Sequence, residues 1–442
     1  MHAAMRSALF GSALPYAGWD LALGFRDSWY RSGGLVTRDV AALPSYAFTR
    51  AAAKWEDVGA GLQMIAAGQP AIIPGTGFIA RPAYTNTVHN SVFAGAALNV
   101  SPTKMGTFGN GGQGGITRQI LGRGQTADGL DYVDLRFSGT AAGQVAMYPV
   151  FSGAVPADYP VAAPGEFWSG AVTAQVTGAT AAARISFTLS ARNSDASIIY
   201  GTYSASVMVD GVIRPTQRYV VLSPALPANS ATAQIFLSVI IPDGNTVDFT
   251  LRLWAPSLVK SPIIGPYVPT STGPVTLAAD DMRMTQPLPA DEDSVLVVSA
   301  VAQTTVGALE RPVNLVDDAG NNRISVGRNS DGTGSLSATV VVGGTTLGLP
   351  GGNVGQAGPG RYAIAVRRRA GRFSLAGRNS SGVVGIGAET AVMAMPVPTR
   401  YSIGSFPSVA GAPANGAIEF LGYRRGPATD DQVRAMLAAV SV

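Results

Sequence analysis

The sequence predicts an all-β protein with two β-sandwich or jelly-roll domains, which follow an irregular N-terminal region and end in a short C-terminal helix. Three observations lead to this fold class. Glycine (54 residues) and proline (29 residues) separate many short runs rich in β-branched and aromatic residues. Charged residues make up only 13% of the chain, against about a quarter in typical globular proteins. Hydrophobic residues reach 46%, enough to fill several cores.

The first region, residues 1–100, is the irregular one. Leu21–Phe25 and Tyr46–Arg50 alternate like short strands, and Gly33-Gly34 indicates a turn between them. A hairpin is expected from Trp55 onward. Long periodic elements are few, so we expect this region to depend on partners for its core.

The second region, residues 101–272, reads as a jelly roll because short strand candidates recur at even spacing between turn signals such as Asp243-Gly244. The expected strands are 132–137, 144–150, 167–177, 183–190, 204–209, 217–222, 232–241 and 246–254. Side chains alternate along a strand, so two sets should lie on opposite faces of the last one: Phe249, Leu251 and Leu253 against Asp248, Thr250, Arg252 and Trp254. The glycine-rich stretch 109–115 lacks the lysine and the helix of a phosphate-binding loop, and is predicted to be a flexible loop.

The third region, residues 273–442, reads as a second sandwich, joined to the jelly roll by a linker over 266–274. The expected strands are 294–303, 323–328, 334–342, 361–367, 372–377, 400–406 and 417–423. Thr429 and Gln432 form a capping-box pattern, and the apolar residues Val433, Met436 and Leu437 follow at helical spacing. The sequence therefore predicts a short terminal helix there.

Charge and composition exclude several classes of function. A net charge of +4 is small for 442 residues and does not indicate nucleic-acid binding. The run Arg367-Arg368-Arg369 fits either a solvated hairpin face or a patch for an acidic ligand. The absence of cysteine excludes disulfides and thiolate metal sites. Apolar runs are too short for membrane insertion, and residues 1–19 lack the apolar core of a signal peptide.

Catalytic chemistry is not indicated. The two histidines, His2 and His89, do not lie in a nucleophile-elbow pattern, and they make a zinc site improbable. Glycoside cleavage needs two carboxylates across the bond, but the acidic clusters lie in predicted turns or at a helix start, where aspartate serves the backbone. These clusters are Asp280-Asp281, Asp291-Glu292-Asp293, Asp317-Asp318 and Asp430-Asp431. We expect no cofactor, although turn oxygens would suit a structural calcium ion.

Three segments resemble parts of phage tail-fibre and head-spike proteins. Residues 45–72 (SYAFTRAAAKWEDVGAGLQMIAAGQPAI) resemble an opening segment of such virion proteins, and residues 249–272 (FTLRLWAPSLVKSPIIGPYVPTST) resemble the ending of their carbohydrate-binding-module-like jelly rolls. Residues 273–442 are similar to a concanavalin-like, laminin-G-like sandwich followed by a short helix. A further family segment is replaced in this chain by GFIARPAYTNTVHNSVF, which keeps only Thr85-Asn86. Residues 1–18 match no known pattern and are expected to be an adaptor.

The resemblance implies a virion protein that contacts host surface polysaccharide. Sugar sites combine exposed aromatic rings with a few polar groups, and the candidate ligand-binding residues are Tyr200, Tyr203, Asn322, Arg323 and Arg328. Asn321 and Asn329 lie beside the last three, and ordinary turn and strand chemistry is the competing interpretation. Trp168 and Trp254 are predicted to be core residues.

The leading hypothesis is a non-enzymatic fibre or spike subunit of a phage or phage-like particle, including gene-transfer-agent-like particles. It would be displayed on the virion, form homo-oligomers and dock to other virion proteins through region one. Two alternatives remain open: an architectural decoration or baseplate protein without a ligand, and a capsule depolymerase.

Overall fold

The computed structural model describes most of the chain, and it confirms the all-β prediction. The described residues are 18–58, 61–106, 108, 111–179, 183–199, 203–209, 216–285, 292–303, 310–317, 319–331, 333–349, 354–369, 371–391, 396–404 and 416–440. Within them, strands dominate and the helices are too short and too polar to cross a membrane.

The strands are numbered in chain order. The first half contains β1 (Leu21–Gly24), β2 (Trp29–Ser32), β3 (Leu35–Thr37), β4 (Tyr46–Thr49), β5 (Lys54–Asp57), β6 (Leu62–Ile65), β7 (Ile72–Ile73), β8 (Gly77–Ala80), β9 (Tyr84–Asn86), β10 (Gly111–Gln113), β11 (Ile116–Gln125), β12 (Asp131–Thr140), β13 (Val145–Met147), β14 (Ser169–Ala179), β15 (Ala183–Arg192), β16 (Tyr203–Val209) and β17 (Gln217–Leu222). The second half contains β18 (Thr232–Ile241), β19 (Thr246–Val259), β20 (Val275–Leu277), β21 (Asp281–Thr285), β22 (Ser294–Ala302), β23 (Glu310–Val316), β24 (Arg323–Arg328), β25 (Leu336–Val342), β26 (Thr345–Leu349), β27 (Gly360–Arg369), β28 (Arg372–Arg378), β29 (Val384–Ile386), β30 (Thr390–Ala391), β31 (Arg400–Ile403) and β32 (Gly416–Arg425). Single 3-10 turns occur at Val40–Ala42 and Pro156–Asp158, and α1 spans Asp430–Val440.

The chain divides into two compact units whose boundaries differ from the predicted ones. Within the described residues, unit 1 consists of three segments: the chain up to Ala52, Ile65–Ala83, and the part from Ala278 onward. Unit 2 consists of Ala53–Met64 and Tyr84–Leu277. Residues 1–100 are therefore not a separate region. Unit 2 ends at Leu277, whereas the sequence analysis placed a boundary at 272/273.

The N-terminal strands complete the sandwich of unit 1. β1 pairs antiparallel with β32, with Leu23 opposite Leu421, and β4 pairs with β21. Their partners lie hundreds of residues away in the sequence, so local patterns could not reveal them. The unpaired apolar segments that motivated the prediction of oligomerisation through this region are paired within the chain.

Unit 1 is a two-sheet β-sandwich in which, among the described residues, all strand pairs are antiparallel. One sheet has the order β29-β28-β27-β22-β32-β1-β2-β3, with β30 beside β28 and β7-β8 beside β32. The other has the order β26-β25-β24-β23-β31-β21-β4. Leu296 and Val298 of the first sheet share one core with Val313 and Leu315 of the second.

Strand β22 is buried on both faces because α1 covers the outside of its sheet. Val295 and Val297 point away from the inter-sheet core and pack with Val433, Met436 and Leu437 of the helix. The predicted helix is thus confirmed, together with its three apolar residues. Two-sided burial also explains why β22 reads as a nearly continuous apolar run.

The predicted capping box starts α1. Thr429 N donates to Gln432 Oε1 (2.9 Å), and Gln432 N donates back to Thr429 Oγ1 (3.3 Å). The two side chains satisfy backbone donors that the first helical turn would leave unpaired.

Replacing Thr429 with alanine is expected to lower the free energy of unfolding by about 1 kcal/mol, because it removes the acceptor at the N-cap. Urea denaturation would measure this loss. Thr429→Ser retains the hydroxyl and serves as the control, so an equal loss in both variants would contradict a capping role.

The arginine run of β27 holds α1 and is neither a solvated face nor an open ligand patch. Arg367 and Arg368 are buried (6% and 2% exposed). Arg367 pairs with Asp430 and donates to Ser374 Oγ (3.0 Å), and Arg369 pairs with Glu389 (2.9 Å). The sequence could not show this, because the carboxylate partners lie far along the chain.

Unit 2 is a second β-sandwich with two main sheets and the additional strand pair β9-β20. Among its described strands, one sheet has the order β10-β11-β12-β19-β14-β17 and the other β13-β18-β15-β16. The predicted alternation on β19 is confirmed: Phe249, Leu251 and Leu253 are buried in the core, whereas Asp248 on the opposite face is exposed. Trp254 is also buried, in a separate cluster with Trp55 and Tyr267.

The predicted linker over 266–274 is largely a packed segment of unit 2. Tyr267 is 1% exposed and forms a backbone bridge with Trp55 through bonds of 2.7 and 3.0 Å. Thr270 and Ser91 exchange two backbone-to-hydroxyl bonds of 2.8 Å each. The proline and small polar residues of this segment suggested a linker, but its first part packs against the core of unit 2.

The glycine-rich stretch is a hairpin over its described part, which corrects the prediction of a flexible loop. Gly111–Gln113 forms β10 and pairs with the start of β11. The connecting Gly114 and Gly115 have positive φ angles of 50° and 80°. A Cβ atom on Gly115 would lie 2.2 Å from the carbonyl oxygen of Thr140, so glycine is required there.

Candidate functional site

A groove of about 560 Å³ crosses the outer face of the four-stranded sheet of unit 2. It is built from β13, β15 and β18 together with the segments that follow β13 and β15. Its described lining residues are Tyr148, Val150, Tyr159, Arg184, Ser186, Thr188, Arg192, Ile198, Gln234, Phe236, Ser238 and Ile240.

Strand alternation produces this lining. Every second residue of β15 points into the sandwich core, as Ile185, Phe187 and Leu189 do, so the residues between them face outward. In register, Ser186 lies opposite Ser238, and Thr188 lies opposite Phe236. The short hydroxyl side chains leave room above the sheet, which makes its surface concave between larger rim residues.

An exposed aromatic ring stands at one side of the groove. Tyr148 is 46% exposed, and its ring meets Phe236 edge to face at 5.9 Å and 80°. This contact fixes the orientation of the tyrosine at little conformational cost and leaves much of its ring accessible. A flat, fixed and accessible ring is the usual platform for the apolar face of a sugar.

The far end of the groove carries a positioned guanidinium group. Arg192 Nε donates to Gln234 Oε1 (2.6 Å), and the guanidinium lies over the ring of Tyr159 at 5.5 Å. Burial raises the pKa of Tyr159, which keeps its phenol protonated. Arg184, which is exposed, also lines the groove. Among the described lining residues both charged groups are cationic.

The groove suits a chain-like polyol. Hydroxyl, amide and guanidinium groups can hydrogen-bond to sugar hydroxyls, while the aromatic and aliphatic side chains contact ring faces. From Arg184 to Arg192 the strand extends roughly 26 Å at the usual rise per residue. That length accommodates several linked sugars.

Tyr200 and Tyr203 are the two ligand residues that the sequence predicted in the second region. Tyr200 lies outside the described residues. Tyr203 begins β16, the edge strand of the groove sheet, and pairs in register with Leu189. Its side chain also lies outside the described part of the structure.

Asn322 and Arg323 lie in unit 1, at the β23–β24 turn. The backbone N and side-chain Nδ2 of Asn322 donate to Asp317 Oδ2 at 3.1 and 2.7 Å. This arrangement stabilises the turn, as the competing interpretation predicted. Arg323 is half-buried at the start of β24, opposite Val316 and Val341.

Arg328 is not available to a surface ligand, which corrects its prediction as a sugar contact. It is 0% exposed, its Nη2 pairs with Glu310 Oε1 (2.9 Å), and its Nη1 donates to the carbonyl of Gln356 (2.9 Å). Neighbouring Arg311 donates to the backbone carbonyl of Arg328 (3.1 Å), and burial lowers the pKa of Arg311 to about 10. The contacts of Arg328 and Arg311 therefore hold neighbouring backbone segments together inside the sandwich.

The two tryptophans are core residues, as predicted. Trp168 is 2% exposed, and its Nε1 donates to Glu166 Oε2 (3.2 Å). Trp254 is 7% exposed. Neither ring is available for stacking against an external sugar.

Several of the described carboxylates that raised the question of catalysis form hydrogen bonds or ion pairs with other residues of unit 1. Asp280 is buried and accepts bonds from Arg50 Nη1 (3.0 Å) and Arg81 N (3.1 Å). Asp281 pairs with Arg283, and Asp430 pairs with Arg367. In the described part of the chain, no three His, Asp or Glu side chains are grouped closely enough to hold a metal ion. Asp291 and Asp318 lie outside the described residues.

Sequence reasoning missed the groove, although a signal for it existed. In β15 the outward positions read Arg-Ser-Thr between the apolar inward positions, and in β18 they read Gln-Phe-Ser-Ile. Polar and aromatic residues on the outer face of a sandwich strand are a recognisable pattern. The exposed Tyr148 lay outside the set of aromatics that the sequence singled out.

Comparisons with known proteins give little further information. No protein-family model matches the chain, and no curated protein matches it. Among solved structures, it is similar to the CBM40 module of the Ruminococcus gnavus IT-sialidase bound to α2,6-sialyllactose (18% identity, TM-score 0.26, covering 35% of this chain and 85% of that one). It is also similar to the baseplate tripod of bacteriophage Tuc2009 (12% identity, TM-score 0.24, covering 65% of this chain and 97% of that one). A third similar structure is a xylan β-1,4-xylosidase from Bacillus halodurans C-125 (7% identity, TM-score 0.22, covering 86% of this chain and 96% of that one). With TM-scores of 0.26 or lower, these similarities indicate no shared function.

Proposed function

We propose that this protein is a non-enzymatic adhesion subunit of a phage or phage-like particle, and that the groove of unit 2 binds host surface polysaccharide. The groove carries the proposal. It combines an exposed, oriented aromatic ring with a floor of hydroxyl side chains on β15 and β18 and two arginines of β15.

The virion assignment is supported by the sequence segments that resemble fibre and spike proteins. In the first segment, Arg50 is buried and binds Asp280, Ala52 O (3.0 Å) and Ala66 O (2.6 Å). This part of the segment therefore has a structural role in unit 1. The concanavalin-like assignment of the C-terminal sandwich, the docking to other virion proteins and the homo-oligomer remain parts of the proposal, as does display on the particle.

Weak single-site binding would suffice for adhesion if several subunits act together. Linked sites raise the effective concentration of the second contact without any new type of interaction. The proposed homo-oligomer supplies this multivalency. Light scattering on the full chain and on isolated particles would establish the number of copies.

Replacing Tyr148 with alanine is expected to weaken polysaccharide binding about tenfold, because an aromatic anchor in an interface typically contributes more than ~1 kcal/mol. The measurement is titration calorimetry of the full chain against a panel of purified bacterial capsular polysaccharides and lipopolysaccharides. Polymer length, followed by size-exclusion chromatography during the incubation, should not change.

Phe167→Ala is the matched control, because Phe167 is an aromatic residue of unit 2 with a similar exposure, 44% against 46%. It does not line the groove. Equal losses in the two variants would contradict the groove as the binding site. Shortening of the polymer would favour a depolymerase, and the absence of binding to any polymer would favour an architectural protein.

A further inference from the structure

We infer that unit 1 contains a second, independent saccharide site: a polar cavity between β2, the turn at Val40–Ala42, β4 and the loop at Gly68–Pro70, which fits one neutral sugar ring. The cavity has a volume of about 260 Å³. Its lining residues are Ser28, Tyr30, Arg38, Asp39, Val40, Ala41, Tyr46, Gly68, Gln69, Pro70 and Ile72. The inference does not depend on the groove of unit 2.

An unpaired buried hydroxyl group is the first reason to expect a ligand. The Tyr46 hydroxyl is shielded from solvent and has no hydrogen-bond partner among the described residues. A buried polar group without a hydrogen-bond partner destabilises the fold, so an unpaired one calls for an explanation. Tyr46 lines the cavity, so a small shift of its side chain on binding would let a ligand hydroxyl provide the missing partner.

The phenol groups of Tyr30 and Tyr46 stay protonated, so each can donate a hydrogen bond as well as accept one. Burial raises the pKa of Tyr30 to about 12, and burial together with the nearby Tyr30 and Asp39 raises the pKa of Tyr46 further. A phenol that both donates and accepts matches a sugar hydroxyl, which does the same.

The remaining polar groups are positioned by their own contacts. Asp39 Oδ1 accepts from Ala41 N (2.9 Å), which fixes the carboxylate, and its other oxygen has no donor among the described residues. The guanidinium of Arg38 lies 4.2 Å from the ring centroid of Trp29. The cavity thus presents a fixed acceptor and a fixed donor, with the amide of Gln69 as a further donor and acceptor.

Size and charge select the class of ligand. The single carboxylate of Asp39 and the single guanidinium of Arg38 cancel, so neither an anion nor a cation is favoured overall. The volume is far larger than one water molecule, which takes up about 30 Å³, and smaller than a typical drug-sized site. Apolar surface from Pro70 and Ile72 is available for a ring face. A neutral monosaccharide unit meets all these conditions.

The test is saturation-transfer NMR and titration calorimetry of the full chain with free glucose, galactose, mannose, rhamnose and N-acetylglucosamine. At least one of these sugars should bind. Tyr46→Phe should weaken that binding about twofold to tenfold, since it deletes one hydrogen bond. Asp39→Asn keeps the acceptor for Ala41 and should also weaken binding, since an ionised acceptor forms the stronger bond.

Tyr401→Phe is the matched control, because the Tyr401 hydroxyl is also buried and unpaired among the described residues of unit 1 but does not line the cavity. Both phenylalanine variants should be at least as thermally stable as the parent, and only Tyr46→Phe should lose sugar binding. If none of the sugars binds, or if Tyr46→Phe binds as the parent does, the inference is wrong. Binding lost only in Tyr148→Ala would assign the sugar to the groove and would equally overturn it.

Discussion

Replacing Glu310 with glutamine is expected to lower the free energy of unfolding of unit 1 by about 3–5 kcal/mol, because it leaves a charge buried without its counter-ion. The side chains of Arg328 and Glu310 are 0% and 5% exposed and lie 2.9 Å apart. Water cannot replace the lost partner there, and Arg311 adds a second buried positive charge beside it. Urea denaturation, followed by tryptophan fluorescence and circular dichroism, would measure the loss.

Asp248→Asn is the control for this prediction. Asp248 pairs with Arg136 at 2.8 Å, a shorter distance, but the two side chains are 58% and 43% exposed. Solvent screening should limit the loss to below about 1 kcal/mol. The double variant Glu310→Leu with Arg328→Met should recover much of the stability, since it removes both charges. If the two single variants lose equal stability, burial does not govern the pair.

Replacing Asn86 with alanine is expected to destabilise unit 2 by about 3 kcal/mol or more, because one fully buried amide joins four backbone groups. Its Nδ2 donates to the carbonyls of Val268 (2.9 Å) and Pro256 (3.3 Å), and its Oδ1 accepts from Val88 N and Leu258 N (both 3.2 Å). Each buried group left unpaired costs about 1–3 kcal/mol. Urea denaturation and hydrogen exchange of these two amides would measure the effect.

Thr85→Ala is the neighbouring control, because Thr85 precedes Asn86 in β9 and its hydroxyl meets Thr276 at an exposed position. A loss of less than about 1 kcal/mol is expected there. Unchanged hydrogen exchange at Val88 and Leu258 in Asn86→Ala would contradict the proposed role.

Strands with clear alternation and β-branched residues could be read from the sequence. Gln217–Leu222, Thr232–Ile241 and Arg323–Arg328 have the predicted bounds, and the capping box at Thr429 starts the predicted helix. In these elements, local preference and tertiary packing agree, so one window of sequence contains enough information.

Other strands could not be predicted, because their sequences carry signals that oppose strand formation. β23 contains Pro312 between two charged residues and Val313. The structure accommodates the proline at an irregularity of the ladder, where the register shifts between Glu310 and Val313. β11 (Ile116–Gln125) reads as glycine-rich and polar, and it too has a shift, between Ile120 and Gly122.

The candidate sites lie beyond sequence reasoning for a different reason. The groove joins Tyr148, Ser186 and Phe236, and the cavity of unit 1 joins residues 28–46 with residues 68–72. Pairing between distant strands creates both. The sequence indicated the residue types that bind sugars, but it could not indicate which of them share a surface.

The pairing of β1 with β32 has a consequence for synthesis on the ribosome. Leu421 is synthesised 398 residues (421 − 23) after its partner Leu23. At the usual rate of translation, this delay is roughly 20–80 s. Unit 2, made in between, contains all the strands of its own two sheets and can mature first. The nascent β1 can pair with β2 at once, but its other edge must wait for β32, so this sheet of unit 1 closes only after unit 2 has been made.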